Sequence, residues 1–220
     1  MKAMILAAGR GERMRPLTDH TPKPLLQAGK HRLIEYHLYN LANAGFKDIV
    51  INVAWLGQQI IETLGDGSAY GLNIMYSDEG EKALETGGGI FKALPLLGDA
   101  PFLVINGDIF CDYPYTKLYN YQPEDLAHLI LVDNPEHNTT GDFYLKNNKL
   151  SPSGDSKYTF SGIGIYTKAF FSGQTEPAFP LAPLIRQHLE RGLISAEYYA
   201  GQWQDIGTYE RLEALKKAGL

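Results

Sequence analysis

Residues 4–18 of this chain are Met4-Ile5-Leu6-Ala7-Ala8-Gly9-Arg10-Gly11-Glu12-Arg13-Met14-Arg15-Pro16-Leu17-Thr18. The apolar residues 3–7 predict a buried strand that ends at Gly9. Two glycines then alternate with cations, so bare backbone N–H groups and guanidinium groups are presented together. Small residues let the backbone approach a ligand closely, and arginine binds phosphate oxygens in pairs. The loop therefore predicts a polyphosphate site.

A lysine between two prolines, Lys23, adds a further cation in a defined direction, because proline fixes the local backbone angle φ. The formal net charge of the chain is −5, so a general excess of positive charge does not explain the cations of this loop: Arg10, Arg13, Arg15 and Lys23. Two common phosphate loops are excluded by spacing. A dinucleotide fingerprint needs a third glycine at the position of Met14, and a Walker loop needs Gly-Lys followed by Ser or Thr.

The composition indicates an ordinary globular protein, with 44% hydrophobic and 20% charged residues. Mild acidity without a basic helix argues against a nucleic-acid partner. No apolar run approaches the roughly 20 residues that span a bilayer, and no signal peptide precedes the first strand, so we expect no membrane partner. The single cysteine, Cys111, excludes an intramolecular disulfide, fits a reducing cytoplasm and is expected to be a small buried thiol rather than a reactive one.

Helical and strand patterns alternate through the first half of the chain. Helices are predicted at 32–46 and 55–64, and strands at 48–53, 72–76 and 101–108. This alternation is typical of an α/β fold with a doubly wound, mostly parallel, Rossmann-like sheet, which binds ligands at the carboxyl ends of its strands. The second half predicts a strand at 126–133, a hairpin around 146–149, a strand at 158–166, a helix at 181–191, a strand at 194–200 and a helix at 209–218.

Three consecutive glycines, Gly87 to Gly89, precede a helix that runs through Leu94. Glycine loses the most backbone entropy on folding, so such a run indicates that something requires the missing Cβ atoms. One interpretation is a turn whose main-chain groups hydrogen-bond the edge of a nucleobase. The other is a turn into a helix that Thr86 caps.

The most apolar run of the chain ends at Asn106-Gly107-Asp108. A buried strand that stops there places Asp108 at the carboxyl edge of the sheet, beside the loop at Gly9. Next to a polyphosphate loop, a carboxylate predicts a ligand for Mg²⁺, although an aspartate at this point could also cap a turn.

These motifs resemble the signature of the sugar-1-phosphate nucleotidyltransferases. Residues 6–18 match Leu-Ala-x-Gly-x-Gly-x-Arg-x-x-Pro-Leu-Thr, and residues 22–24 match the Pro-Lys-Pro that follows it. Residues 203–208 are similar to the family's Trp-x-Asp-x-Gly-Thr motif. The resemblance covers about residues 2–215. It implies a GT-A type nucleotidyltransferase fold with antiparallel strands added in the second half, in a single domain 1–220 whose halves 1–110 and 111–220 bind the nucleotide and the sugar phosphate.

The resemblance implies Mg²⁺ as cofactor, with Asp108 and Asp205 as its ligands and Arg13 and Lys23 as further catalytic residues. Asp205 could instead cap the last helix. The implied nucleotide contacts come from the two glycine-rich loops: Ala8, Gly9, Gly11, Glu12, Arg13, Lys23, Thr86 and Gly87. The implied sugar-phosphate contacts are Asn106, Gly141 and Gly162, of which the two glycines could also be simple bulges. The family's Glu-Lys-Pro triplet is missing from residues 151–157, so the lysine that binds the sugar phosphate is unassigned between Lys149 and Lys157.

The implied reaction is attack of a sugar 1-phosphate on the α-phosphorus of a nucleoside triphosphate, which releases pyrophosphate. The motifs look most like those of the uridylyltransferases of cell-wall sugar recycling, which implies UTP and N-acetylmuramate 1-phosphate. Guanylyl transfer to mannose 1-phosphate, thymidylyl or uridylyl transfer to glucose 1-phosphate, and cytidylyl transfer to phosphocholine stay open. A catalytically silent module that binds nucleotide sugars also stays open, and the sequence does not indicate the oligomeric state.

Overall fold

The computed structural model describes residues 1–217. The first half of the chain alternates strands with helices, as predicted: β1 (Ala3–Leu6), β2 (Gln27–Ala28), β3 (His31–Arg32), α1 (Leu33–Asn43), β4 (Asp48–Val53), α2 (Gly57–Leu64), β5 (Asn73–Asp78), α3 (Glu85–Leu97) and β6 (Phe102–Asn106). The second half contains β7 (Ile109–Cys111), α4 (Thr116–Tyr119), β8 (Ala127–Val132), β9 (Phe143–Lys146), β10 (Lys149–Ser151), β11 (Lys157–Tyr166), α5 (Leu181–Glu190), β12 (Ile194–Tyr198), β13 (Trp203–Asp205) and α6 (Tyr209–Lys217).

Nine strands form one mixed sheet in the order β5-β4-β1-β6-β11-β8-β12-β10-β9. The pairs β4–β5, β1–β4, β1–β6 and β8–β12 are parallel, and the others are antiparallel. Helices cover both faces: α1 and α2 pack against the side chains on one face, and α3 and α5 against those on the other. The predicted fold class, a doubly wound, Rossmann-like α/β sheet with antiparallel strands added in the second half, is confirmed; the parallel pairing predominates in the first half, where β5, β4, β1 and β6 are all parallel.

Strand β1 lies at the centre of the parallel part, with β4 on one side and β6 on the other. Its last residue, Leu6, is paired with Asn52 of β4 and with Asn106 of β6. The order of the strands reverses here, and such a reversal opens a crevice outside the carboxyl ends of the strands. The loop that starts at Ala7 leaves the sheet at this crevice.

A two-stranded antiparallel ribbon, β7–β13, extends from the carboxyl end of β6. Asp205 is paired with Ile109 in this ribbon, and the backbone N–H of Ile206 donates to the carbonyl oxygen of Asp108 at 2.7 Å. Residues 108 and 205 are therefore neighbours in space although they are far apart along the chain.

Two predicted helix boundaries are wrong. Helix α1 ends at Asn43 rather than at residue 46, because Gly45 adopts a left-handed φ of +93° that stops it. Helix α2 begins at Gly57 rather than at residue 55, because Leu56 lies in the left-handed region with φ +52°. The predicted strand 48–53 matches β4 at both ends, and the other strand ends differ from prediction by at most two residues. The predicted last residue of α6, Ala218, lies outside the described residues.

The thiol of Cys111 is buried in the core cluster below the first half of the sheet. Burial raises the pKa of the thiol to about 12, so it is protonated at neutral pH and unreactive. The expectation of a buried, inert cysteine is confirmed. Within residues 1–217, none of the helices combines the length and the apolar character that crossing a bilayer requires.

Candidate active site

A cavity of about 350 Å³ opens at the carboxyl ends of β1 and β6. Nine of the thirteen residues predicted for the site line it: Ala8, Gly9, Gly11, Glu12, Arg13, Lys23, Thr86, Asn106 and Asp108. The remaining four do not line it: Gly87, Gly141, Gly162 and Asp205.

The loop after β1 needs glycine at position 11. Gly11 has φ +70°, and a Cβ there would lie 2.9 Å from Cγ2 of Thr18. The Thr18 hydroxyl and the N–H of Met14 both donate to the carbonyl oxygen of Gly11, at 2.9 Å each. These contacts fold the loop tightly and leave Gly9, which has nothing within 4 Å of its Cβ position, at the open cavity. The backbone here is accessible to a ligand.

Lys23 and Asp108 form an ion pair at the base of the cavity. The Nζ of Lys23 lies 2.5 Å from Oδ2 of Asp108, and the side chain of Lys23 is 9% exposed whereas that of Asp108 is 37% exposed. A buried ammonium needs such a partner, because an unpaired charge out of water is costly. The pair fixes the direction of the lysine and uses only Oδ2 of Asp108, a residue that lines the cavity.

The carboxylate of Asp205 is held by two other side chains. Arg211 of α6 forms an ion pair with Oδ1, and Nε2 of His137 lies 3.5 Å from Oδ2. Arg13 reaches the same turn, since a Cβ at Gly207 would be 2.9 Å from Nη2 of Arg13 and 3.2 Å from Oδ2 of Asp205. Asp205 therefore borders the site beside Arg13, although it does not line the cavity.

The glycine run lies inside helix α3, not in a turn before it. The helix begins at Glu85 and its N-cap is Leu84, so the predicted cap, Thr86, is wrong. A Cβ at Gly88 would lie 2.3 Å from the carbonyl oxygen of Pro177, and one at Gly87 would lie 2.4 Å from the ring of Phe179. Close packing of segment 177–179 explains why Gly87 and Gly88 lack side chains, and it differs from both predicted turns.

The sugar-side glycines occupy special backbone positions. Gly162 has φ +81° and lies where β11 shifts register against β8, so it is part of a bulge, and a Cβ there would lie 2.6 Å from Nδ2 of Asn106. Gly141 has φ +64°, and its Cβ would lie 2.7 Å from Oδ1 of Asn134. Both positions require glycine for local reasons, and Gly162 makes room for Asn106 at the cavity.

Two buried polar residues of the site escaped the sequence analysis. Asn52 accepts from the N–H of Ala7 at 2.8 Å and donates to Oε1 of Glu79 at 2.6 Å, while Oε2 of Glu79 accepts from the N–H of Leu84 at 2.6 Å. This network joins the phosphate loop to the start of α3, and both side chains line the cavity. Asn52 could have been predicted in the way that Asp108 was, because it is a polar residue near the carboxyl end of an apolar parallel strand.

A buried histidine lies behind the Lys23–Asp108 pair. His37 of α1 is 1% exposed, interacts with the charge of Asp108 and hydrogen-bonds the backbone of Ile109. Burial lowers the pKa of His37 from 6.5 to about 4 despite these two contacts. The imidazole is therefore neutral at neutral pH.

The lowered pKa of His37 makes stability depend on pH. Between pH 6.5 and about 4 the unfolded chain binds a proton that the folded chain does not, so the free energy of unfolding falls as pH decreases through this window. From pH 7 to pH 5 this one group lowers the free energy of unfolding by about 2 kcal/mol.

Urea unfolding at both pH values tests this expectation. The free energy of unfolding should fall less between pH 7 and pH 5 in His37→Gln than in the unmodified chain. Burial also lowers the pKa of His128, but this histidine is present in both proteins, so its contribution cancels in the comparison. Equal losses would show that His37 is not the titrating group.

Comparison with known sequences places residues 2–143 in the family described as "Nucleotidyl transferase". A Neisseria meningitidis serogroup B protein named N-acetylmuramate alpha-1-phosphate uridylyltransferase is 52% identical over 228 residues, covering 100% of this chain and 99% of that protein. A Caulobacter vibrioides protein of the same name is 32% identical over 220 residues, covering 93% of this chain and 91% of that protein. A Yarrowia lipolytica mannose-1-phosphate guanyltransferase is 41% identical over 135 residues, but these cover 60% of this chain and 37% of that protein.

Solved structures share the fold. HddC from Yersinia pseudotuberculosis complexed with GMP-PN superposes with a TM-score of 0.79 at 21% identity, covering 99% of this chain and 98% of that one. A UDP-glucose pyrophosphorylase complexed with UDP-glucose superposes with a TM-score of 0.78 at 20% identity, covering 99% and 97%. The family match spans more than half of this chain and the Neisseria protein matches all of it, so the chain belongs to the nucleotidyl transferase family, among the sugar-1-phosphate nucleotidyltransferases.

Proposed function

We propose that this chain transfers the uridylyl group of UTP to N-acetylmuramate 1-phosphate and releases pyrophosphate. The observation that carries the transferase part is one cavity at the carboxyl edge of the sheet that collects Gly9, Gly11, Arg13, Lys23 and Asp108. The choice of substrates is supported by two relatives of the same name that match nearly the full length of the chain.

Bringing two phosphates together is the main obstacle of this reaction, because their charges repel strongly where water is scarce. Arg13 has no ion-pair or hydrogen-bond partner among residues 1–217, so its guanidinium is free to bind the β- and γ-phosphates and to stabilise departing pyrophosphate. Lys23, fixed by Asp108, is directed at the α-phosphate or the sugar phosphate. The backbone at Ala8, Gly9 and Gly11, together with Glu12, lines the cavity and would surround the phosphates. Catalysis then consists of positioning and charge neutralisation.

We further propose that Asp108 and Asp205 hold a Mg²⁺ ion, which would neutralise phosphate charge as the new bond forms. Oxygen ligands suit this ion, and Asp108 lines the cavity while using only Oδ2 in its pair with Lys23. In residues 1–217 no three His, Cys, Asp or Glu side chains converge, so phosphate and water oxygens would complete the shell. The pairing of Asp108 with Lys23 and of Asp205 with Arg211 supports the proposal, because it neutralises both carboxylates when no cation is bound.

On the sugar side, we propose that Thr86 and Asn106 contact the substrates where the nucleotide and sugar regions meet, and that Gly141, Gly162 and Gly87 act by letting neighbouring side chains approach. The chain would work as one domain, with residues 1–110 binding the nucleotide and residues 111–220 the sugar phosphate. The reaction would occur in the cytoplasm, where UTP is made, within the recycling of cell-wall sugars.

Pyrophosphate release by the purified chain tests the proposal directly. We expect turnover in a panel of UTP, GTP, CTP and dTTP, each with N-acetylmuramate, N-acetylglucosamine, mannose or glucose 1-phosphate, to be highest for UTP with N-acetylmuramate 1-phosphate. Turnover only with GTP and mannose 1-phosphate would identify a guanylyltransferase instead. Binding of nucleotide sugars without any pyrophosphate release would identify a catalytically silent binding module.

A further inference from the structure

A second cavity, of about 250 Å³, adjoins the first one. The two share Thr86 and Asn106 in their walls, so a ligand that starts in the phosphate cavity can continue into the second one. Otherwise the second cavity is built from different elements, namely the start of β9, the middle of β11 and the first two turns of α5.

The wall of the second cavity is mainly apolar. Phe143, Phe160, Leu181 and Ile185 contribute side chains, and three of these four residues are buried in the core. Such a surface fits an apolar group of a ligand, because removing that group from water is favourable.

Two charged side chains line this cavity, and one of them is fully engaged. Oδ1 of Asp142 accepts from Nδ2 of Asn138 at 3.1 Å, and Oδ2 accepts from the N–H of Phe160 at 2.8 Å. Asp142 thus links the segment at Asn138 to the bulged strand β11 at Phe160. Its carboxylate is committed to neutral donors of the protein.

The other charged side chain is Arg186 of α5, and it is uncommitted. In the part of the chain that the structure describes, Arg186 takes part in no ion pair, hydrogen bond or cation–π contact, and Asp142 lies beyond ion-pair distance. A guanidinium exposed within a concave, largely apolar wall is available for a ligand anion, and its planar geometry matches a carboxylate at two points.

We infer that Arg186 is a specificity-determining residue that selects sugar phosphates carrying a carboxylate substituent. The inference rests on the proposed function and deepens it. When the phosphate lies against Arg13 and Lys23, the sugar ring lies between Thr86 and Asn106, and its substituent enters the second cavity. A short acidic ether arm on the ring would set its methyl group against the apolar wall and its carboxylate on Arg186. A neutral sugar leaves Arg186 without a partner.

The comparison of UDP-N-acetylmuramate with UDP-N-acetylglucosamine isolates this contact, because the two products differ only in the acidic ether arm. We expect the unmodified chain to bind the acidic product more tightly in calorimetric titrations. Arg186→Met should reduce this preference by about 10- to 100-fold, the scale of one charge-assisted contact, by weakening the acidic product alone. Arg186→Lys should keep part of it, because the charge remains without the two-point geometry.

Arg191→Met is the matched control, since Arg191 follows the same helix but does not line either cavity. It should keep the full preference, and melting temperatures of all variants report folding. A preference unchanged in Arg186→Met, or no preference in the unmodified chain, overturns the inference. Product binding is measured independently of pyrophosphate release. If the chain releases no pyrophosphate, the proposed function is contradicted, but the preference for the acidic product still decides the role of Arg186.

Discussion

Replacing Asp108 by asparagine is expected to lower pyrophosphate release by about 1,000-fold or more while the fold stays intact. The amide has the shape of the carboxylate but not its charge, so it is a poor ligand for a hard cation. It also leaves Lys23, only 9% exposed, without its anionic partner, although the amide oxygen can still accept a hydrogen bond. Both effects act at the phosphate that reacts. The loss should therefore appear in kcat rather than in KM for the nucleotide.

The measurement is steady-state pyrophosphate release at saturating UTP and sugar phosphate, with thermal melting as the test of folding. Asp99→Asn provides the matched control, because Asp99 pairs with Lys168 on the surface, is 89% exposed and does not line the cavity. It should leave turnover unchanged. If Asp108→Asn kept turnover within about tenfold of normal, the proposed role of Asp108 in the reaction would be wrong.

Replacing Arg13 by alanine should lower kcat/KM for UTP by about 100-fold, the effect of removing one preorganised donor to developing phosphate charge. Arg13 lines the cavity, and within residues 1–217 it has no acidic partner that would compete with a phosphate. The backbone of the loop should not change, because the folding contacts of Gly11 are made by Thr18 and Met14.

Arg15→Ala is the control for Arg13→Ala. Arg15 lies two residues further along the same loop, but its guanidinium is paired with Asp19 at 2.7 Å and it does not line the cavity. We expect it to keep nearly normal kcat/KM. If both variants lost activity equally, the loop would act through its overall positive charge, and the specific assignment of Arg13 would be wrong.

The parallel half of the fold and the centre of the site could be predicted because their signals are local. Each buried strand is a short apolar run, and a charged or glycine-rich segment directly follows it at residues 7–13 and 106–108. Parallel strands bring their carboxyl ends to one edge, so local patterns sufficed to predict that these two segments meet.

The partners of the site residues could not be predicted, because they come from segments that only the tertiary fold brings together. Nothing near Asp205 in the sequence indicates that His137, from a segment far earlier in the chain, lies beside its carboxylate. The glycine run at 87–89 gave the same local signal as a ligand-binding turn, yet segment 177–179 packs on two of its glycines. Arg186 is one exposed cation on a helix until β9 and β11 close a cavity around it.

The most direct test of whether residues 108 and 205 jointly hold a divalent ion at the phosphate loop is a Mn²⁺ titration. Mn²⁺ replaces Mg²⁺, UDP-N-acetylmuramate is present, and water-proton relaxation reports the bound ion. The unmodified chain and Asp99→Asn should bind Mn²⁺ equally well. Asp108→Asn and Asp205→Asn should each weaken it by at least about tenfold, because each removes one anionic ligand. Normal Mn²⁺ affinity in Asp108→Asn or in Asp205→Asn would contradict a metal site formed by these two carboxylates.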